Sequence, residues 1–170
     1  MRHLLYPSET SESTYTIPFD TLYDEGYRGI IFDIDNTLVP HGAPADERAI
    51  ELFDKLHKLG YKTMLLSNNK EPRVSPFADA VESEYIYQAG KPLLKGYLKA
   101  MEKMGTTTKD TLFIGDQIFT DVWGANRAGI HTILVGQIDK KEEIQIILKR
   151  RLEAIVLLFY RMHLKRMQKK

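Results

Sequence analysis

Residues 28–34 are nearly all apolar, Arg-Gly-Ile-Ile-Phe-Asp-Ile, with no alternation of apolar and polar positions. A half-buried strand would alternate, so a short continuous apolar run reads as a strand covered on both faces, the situation inside a parallel sheet. Further strands are predicted at 62–67, 84–87, 111–114 and 131–135. Helical periods separate them. Asp46 can cap a helix in which Ala49, Phe53, Leu56 and Leu59 keep helical spacing and Gly60 ends it. Shorter helices are expected near 19–26 and 72–81. Leu94, Tyr97, Leu98 and Met101 form a stripe closed by Gly105, and a helix over 120–128 stops at Gly129. This alternation predicts a three-layer α/β/α sandwich around a five-stranded, Rossmann-like parallel sheet with right-handed crossovers. Residues 1–18 read as an irregular lead-in, with Tyr6, Tyr15 and Ile17 able to dock on the core.

A chain of 170 residues with 43% hydrophobic content suits one core rather than two. Its net charge of +1 conceals an asymmetry: residues 139–170 carry +6 and the rest −5. The expected division is therefore a domain over 1–138 and a basic helical tail over 139–170. The absence of cysteine excludes disulfides and thiolate metal sites. Leu4, Leu5 and Tyr6 are the only apolar stretch before Pro7, so no signal peptide is expected and the cytoplasm is the expected location.

In a parallel sheet of this kind ligands bind beyond the carboxyl ends of the strands, and the polar residues of interest fall there. Asp33 and Asp35, two apart, share a strand face and follow strand one, with Asn36, Thr37 and Pro40 suited to the exit turn. Ser67 follows strand two, Lys91 lies in the loop after strand three, and Asp116 and Asp121 follow strand four. Nucleophile, proton carrier, cation and hydroxyl together suit transfer of a phosphoryl group from a phosphomonoester. Four carboxylates against Lys91 leave −3 before a phosphate dianion arrives. An oxygen-rich site with that deficit calls for Mg²⁺.

In order and spacing, Asp33-Ile-Asp35-Asn-Thr37, Ser67, Lys91 and Gly115-Asp116-Gln-Ile-Phe-Thr-Asp121 resemble the four motifs of the haloacid dehalogenase (HAD) superfamily. The wording between them resembles the YqeG-type branch of class IIIA HAD phosphatases, related to the phosphatidylglycerophosphate phosphatases. The resemblance implies that Asp33 is the nucleophile, forming an aspartyl-phosphate, and that Asp35 first protonates the leaving oxygen and then activates water. It implies metal ligation by Asp33, by the backbone carbonyl of Asp35, by Asp116, and by Asp121 directly or through water. Ser67 and Lys91, with Thr37 and Asn68 beside them, would hold the phosphate. The acid at position 35 favours a phosphatase over the dehalogenases and transport ATPases of the superfamily. No cap domain fits between the motifs, only a flap over 36–45, so the site is expected to stay open to bulky or membrane-borne substrates.

Taken singly, these residues also have ordinary roles. Asp121 could be the N-cap of the following helix, His41 a solvated flap residue, and His57 and His131 surface and strand-edge residues. Trp123 is expected in the core, and Asn126 is expected to tie down the loop after strand four. In the tail, Ile144, Ile147, Leu148, Leu152, Ile155, Phe159 and Met162 make an apolar stripe among Lys149, Arg150, Arg151, Arg161, Lys165, Arg166, Lys169 and Lys170. The run of seven apolar or aromatic residues at 154–160 is far short of a bilayer span of ~20. The tail is expected to pack on the core or on another subunit. Peripheral contact with an anionic membrane at its inner face is the second reading, and RNA or another polyanion the third. The alternatives to a phosphatidylglycerophosphate phosphatase are a soluble phosphatase for nucleotide, sugar or protein phosphates, and a ribosomal or RNA-binding protein with a vestigial site.

Overall fold

Every residue of the first apolar run that forms strand, Gly29–Phe32, is buried. In the computed structural model this strand lies in the middle of a parallel sheet, as an all-apolar strand must to cover both faces. Residues 3–139 and 144–167 are described, the side chains of 144–150 excepted. The strands are β1 (Glu9–Ser11), β2 (Gly29–Phe32), β3 (Lys62–Leu66), β4 (Glu84–Ile86), β5 (Thr111–Gly115) and β6 (His131–Val135). The helices are α1 (Phe19–Asp24), α2 (Glu47–Leu59), α3 (Glu71–Ala80), α4 (Leu94–Met104), α5 (Trp123–Arg127) and α6 (Ile144–Met167), and a π-turn at Ile118–Val122 leads into α5.

The sheet order is β1-β6-β5-β2-β3-β4, all parallel. Connections run outward in opposite directions from the β2–β5 pair, which makes the carboxyl ends of those two strands the switch-point crevice. The sheet has six strands, not the five expected. Part of the lead-in, Glu9-Thr10-Ser11, pairs with Ile133, Leu134 and Val135 of β6. As a polar three-residue edge strand it has no hydrophobic pattern by which to be read.

One sheet face is covered by α1–α3 through Phe19, Leu22, Phe53, Leu56, Val74 and Phe77. The other is covered by α4 and α5 through Tyr97, Ala100, Met101, Met104 and Ala125. Asp46 caps α2 by accepting from the Ala49 amide at 2.9 Å, and Gly60 closes it at φ +101°. In α4 the buried face runs through Tyr97, Ala100, Met101 and Met104, and Leu98 of the expected stripe is exposed. The flap is fastened from below: Thr14 Oγ1 and Tyr15 OH donate to the carbonyls of Thr37 and Leu38 at 2.7 and 2.5 Å. Asn36 makes the exit turn at φ +60°, a left-handed conformation that asparagine tolerates.

The tail forms one helix, α6, and it packs with the face opposite to the one expected. Glu153 and Tyr160 are buried, and Val156 and Leu157 join Leu5, Ile118, Val122 and Leu134. Leu152, Ile155, Phe159 and Met162 of the predicted stripe are 43–55% exposed. Ile144, Ile147, Leu148, Lys149, Arg150, Lys169 and Lys170 lie outside the residues whose side chains are described. No described helix is long and apolar enough to cross a membrane. Asn126 does not tie down its own loop. Its amide nitrogen donates to the carbonyls of Leu4 and Tyr6 at 2.9 and 2.7 Å, anchoring the N-terminal segment. Trp123 is only partly buried, beneath the Arg127 guanidinium. His131 is no bare edge residue, because β1 covers β6 and Glu9 lies 2.8 Å from its Nε2.

Close helix contact at α5 depends on Gly124, where an added Cβ would sit 2.2 Å from the Tyr97 hydroxyl oxygen. Tyr97 is fully buried and donates to the Thr120 carbonyl, so it has little room to yield. The substitution Gly124→Ala is expected to destabilise the fold by about 1–3 kcal/mol through overpacking. A lowered urea midpoint at unchanged slope would report it.

Candidate active site

Ile34 is turned fully into the core, so Asp33 and Asp35 on either side of it face the crevice. The Asp33 amide still donates to the Ile114 carbonyl of β5 at 2.9 Å, which fixes the nucleophile candidate against the neighbouring strand. From β5 comes Asp116, and from the π-turn after it Asp121. Carboxylate oxygens of Asp33, Asp116 and Asp121 lie within 4.8 Å of one another, and all three residues are buried. Asp121 reaches this position because Gly115 has no side chain: a Cβ there would meet its Oδ2 at 2.5 Å. The Asp121 carboxylate does not cap α5. It accepts from the Gln117 amide at 3.0 Å through Oδ2 and from Lys91 through Oδ1.

Lys91 is the hub. Its ammonium, 3% exposed, donates to Asp33 Oδ1 at 2.6 Å and to Asp121 Oδ1 at 2.7 Å. Burial alone would lower its pKa, but the charges of Asp121 and Asp33 outweigh this and hold it above the ordinary lysine value. Burial has the opposite effect on Asp33: desolvation, opposed by Lys91 and reinforced by Asp121 and Asp35, pushes its carboxyl up to about 7. A cation among these acids would act against that rise. Hard oxygen donors, all buried and crowded at this distance, fit a small divalent ion.

Asp35 stands apart from the trio. Its carboxylate accepts from the Gly42 amide at 2.8 Å, from Asn69 Nδ2 at 2.6 Å and from Arg73 at 2.8 Å. Among the four acids, Lys91 and Arg73 the net charge is therefore −2, one unit less negative than reckoned from Lys91 alone. The sequence reading gave Arg73 no role, yet the charge deficit itself called for another cation. A helix beginning at Glu71, directly after the β3 loop, presents its first turn to that loop.

Two expected phosphate contacts have other partners. Thr37 Oγ1 donates to Asp116 Oδ1 at 3.3 Å, and the Asn68 amide clamps the backbone of Lys91. Asn68 Nδ2 donates to the Lys91 carbonyl at 3.1 Å and its Oδ1 accepts from the Lys91 amide at 2.7 Å. Ser67 is buried at the end of β3, its Oγ accepting from the Asn69 amide. His41 is exposed in the flap. Beside Asp116 a crevice of about 300 Å³ opens between the end of β6 and α6, with walls of Ile118, Leu134, Val135, Ala154 and Leu157. One further acid had no periodic signal: Glu153 of α6 accepts from the amides of Ile118 and Phe119 at 2.8 and 3.3 Å.

The model of the haloacid dehalogenase-like hydrolases matches residues 41–129, a span holding Ser67, Lys91, Asp116 and Asp121. The chain is 39% identical over 136 residues to the probable phosphatase YqeG of Bacillus subtilis, covering 79% of each protein. It is 28% identical over 173 residues to phosphatidylglycerophosphate phosphatase 1, chloroplastic/mitochondrial, of Arabidopsis thaliana, covering 92% of this chain and 48% of that one. In fold it is similar to the cobalt-bound deoxy-D-mannose-octulosonate 8-phosphate phosphatase of Haemophilus influenzae, at 13% identity and a TM-score of 0.51, over 80% of this chain and 90% of that one. With its motif acids gathered at the switch point of a parallel sheet, the chain belongs to the haloacid dehalogenase-like hydrolases, in their YqeG-type branch.

Proposed function

We propose that the protein is a Mg²⁺-dependent phosphomonoester hydrolase working through Asp33. The observation that carries this reading is the segregation of the acids: Asp33, Asp116 and Asp121 crowd together, two of them on Lys91, and Asp35 is held separately. An Asp33 oxygen attacks phosphorus, the bond from phosphorus to the ester oxygen breaks, and Asp35, having taken a proton from solvent on substrate binding, gives it to the departing alkoxide. Asp35, now a carboxylate oriented by Asn69, Arg73 and the Gly42 amide, takes a proton from water as that water attacks the aspartyl-phosphate. Inorganic phosphate leaves and Asp33 is restored. Lys91 and Ser67 hold the phosphoryl oxygens, with Thr37 and Asn68 positioning Asp116 and Lys91. Asp33, Asp116, Asp121 and the Asp35 carbonyl would hold Mg²⁺, which would supply the positive charge that lets a phosphate dianion approach.

A lipid-borne substrate of the phosphatidylglycerophosphate kind is the reading favoured for the alcohol half. The likeness to the Arabidopsis phosphatase supports it, as does an uncapped site with an apolar-walled crevice beside Asp116. The exterior of α6 supports it further. Leu152, Ile155, Leu158, Phe159 and Met162 are exposed among Arg151, Arg161, Lys165 and Arg166, and the one acid of 151–167, Glu153, points inward. A helix that is apolar on its outer side and fringed by bases matches an anionic bilayer surface.

Replacing Asp33 by Asn should reduce phosphate release from an aryl phosphate by about 10³-fold or more without changing the circular dichroism spectrum. Wild-type turnover in that variant would remove Asp33 as nucleophile. Chelation by EDTA should silence the enzyme and added Mg²⁺ restore it. Activity that persists in EDTA would overturn the charge argument. The double substitution Ile155→Ser, Phe159→Ser should abolish flotation with phosphatidylglycerol vesicles while leaving hydrolysis of the soluble aryl phosphate intact. Equal flotation of both proteins would overturn membrane contact through α6.

A further inference from the structure

We propose that Glu153, from the C-terminal helix, is a positioning residue for the metal cluster, acting through the loop that carries Asp116 and Asp121. The inference rests on the reading of Asp33, Asp116 and Asp121 as cation ligands. Its basis is a run of three backbone donors. The amides of Gln117, Ile118 and Phe119 open the π-turn, where no preceding turn of helix supplies acceptors. All three are taken by carboxylates: Gln117 by Asp121 Oδ2, Ile118 and Phe119 by Glu153 Oε1.

Ile118 is 1% exposed and Glu153 4% exposed, and both edge the crevice beside Asp116. A buried amide left without an acceptor costs about 1–3 kcal/mol. Without Glu153, the buried Ile118 amide and the partly buried Phe119 amide would both lose the acceptor they share, on a loop that also carries the Asp121 carboxylate. Asp121 already gives one oxygen to this run and has the other on Lys91. Drawing it further onto the amides would take a ligand from the cation site. The space around it permits little adjustment, since Gly115 and Asp121 are already as close as an absent Cβ allows. Glu153 thus satisfies the loop from outside and leaves Asp121 oriented toward Lys91 and Asp33. Tyr97 fixes the same turn at its other end by donating to the Thr120 carbonyl. Motif acid, π-turn and C-terminal helix form one hydrogen-bonded unit.

The competing account makes Glu153 a mere anchor for α6, and metal affinity separates the two. Mg²⁺ binding to the full chain is measured by calorimetry, alongside the Mg²⁺ dependence of p-nitrophenyl phosphate hydrolysis, for the wild type, Asp116→Asn and three Glu153 variants. Glu153→Ala should bind Mg²⁺ about tenfold or more weakly and lose kcat, whereas Glu153→Gln, which keeps an acceptor oxygen at the same reach, should stay within about threefold of wild type. Glu153→Asp keeps the charge but is one methylene too short, and should behave like the alanine variant. Should Glu153→Ala fail to fold, the contrast between Gln and Asp decides. A variant set with lowered melting temperatures and wild-type Mg²⁺ affinity would overturn the proposal, as would a glutamine variant as weak as the aspartate one. If the wild type itself bound no Mg²⁺, or bound it equally well as Asp116→Asn, the cation reading would fall and this inference with it. Normal wild-type binding with unaffected Glu153 variants would overturn the inference alone.

Discussion

The ammonium of Lys91 between Asp33 and Asp121 is the contact on which the rest of the site depends. Three charges are buried there, and each would be costly to desolvate singly; removing one member of such a set typically destabilises by about 3–5 kcal/mol because it strands the others. The triad joins chain segments 58 and 30 residues apart, so it can exist only after the sheet has assembled. Its geometry is held from the backbone outward. Asn68 fixes the Lys91 main chain, Ile114 fixes the Asp33 amide, and the missing Cβ of Gly115 admits Asp121. The same triad holds the Asp121 carboxylate in place beside Asp116, within reach of a shared cation. A site whose charges neutralised one another fully would have little pull on a metal; one with no lysine would bury its acids against one another at a cost in stability. A net −2 among six side chains lies between these limits.

What the amino-acid order revealed follows from which interactions are periodic. The run at 28–34 announced a central strand because burial on both faces leaves no other composition open to it. The acids at 33 and 35 announced a site because strand geometry puts residues two apart on one face. Asp116 and Asp121 were legible by spacing from a strand end. Asn69 was legible only as a residue able to orient the Ser67 loop or meet substrate; its contact with Asp35, and that of Arg73, were not, since a polar contact between separate segments leaves no period in either. The strand Glu9–Ser11 was missed for the related reason that a short polar edge strand is held by backbone bonds to β6, to which side-chain type contributes little.

The reversed packing of α6 is the most instructive departure. The larger apolar stripe was expected to face the core, because apolar area is worth about 25 cal/mol per Å² when buried. The body, however, offers at that edge a pair of amides, on Ile118 and Phe119, next to a small apolar patch of Val122 and Leu134. A face bearing Glu153 with Val156, Leu157 and Tyr160 satisfies both, whereas the Leu152–Ile155–Phe159 face would bury the amides without acceptors. Satisfying polar groups therefore decided which side turned inward, and the more apolar side was left to the solvent.

That outcome bears on how an uncapped enzyme selects a substrate. Here the segments between the motifs hold strands of the sheet, the helices α2, α3 and α4 that cover it, and a flap pinned by Thr14 and Tyr15. Flap and α3 both reach Asp35, through the Gly42 amide and the Arg73 guanidinium. In the proposed reading, selection comes from the walls beside Asp116 and from where the protein sits. The walls on one side belong to α6, the helix whose outer face is apolar and basic and whose inner acid holds the π-turn. A surface that engages the outer face therefore bears on the same helix that lines the crevice and supports the acids. In the reading proposed above, the membrane stands where other members of the fold keep a cap.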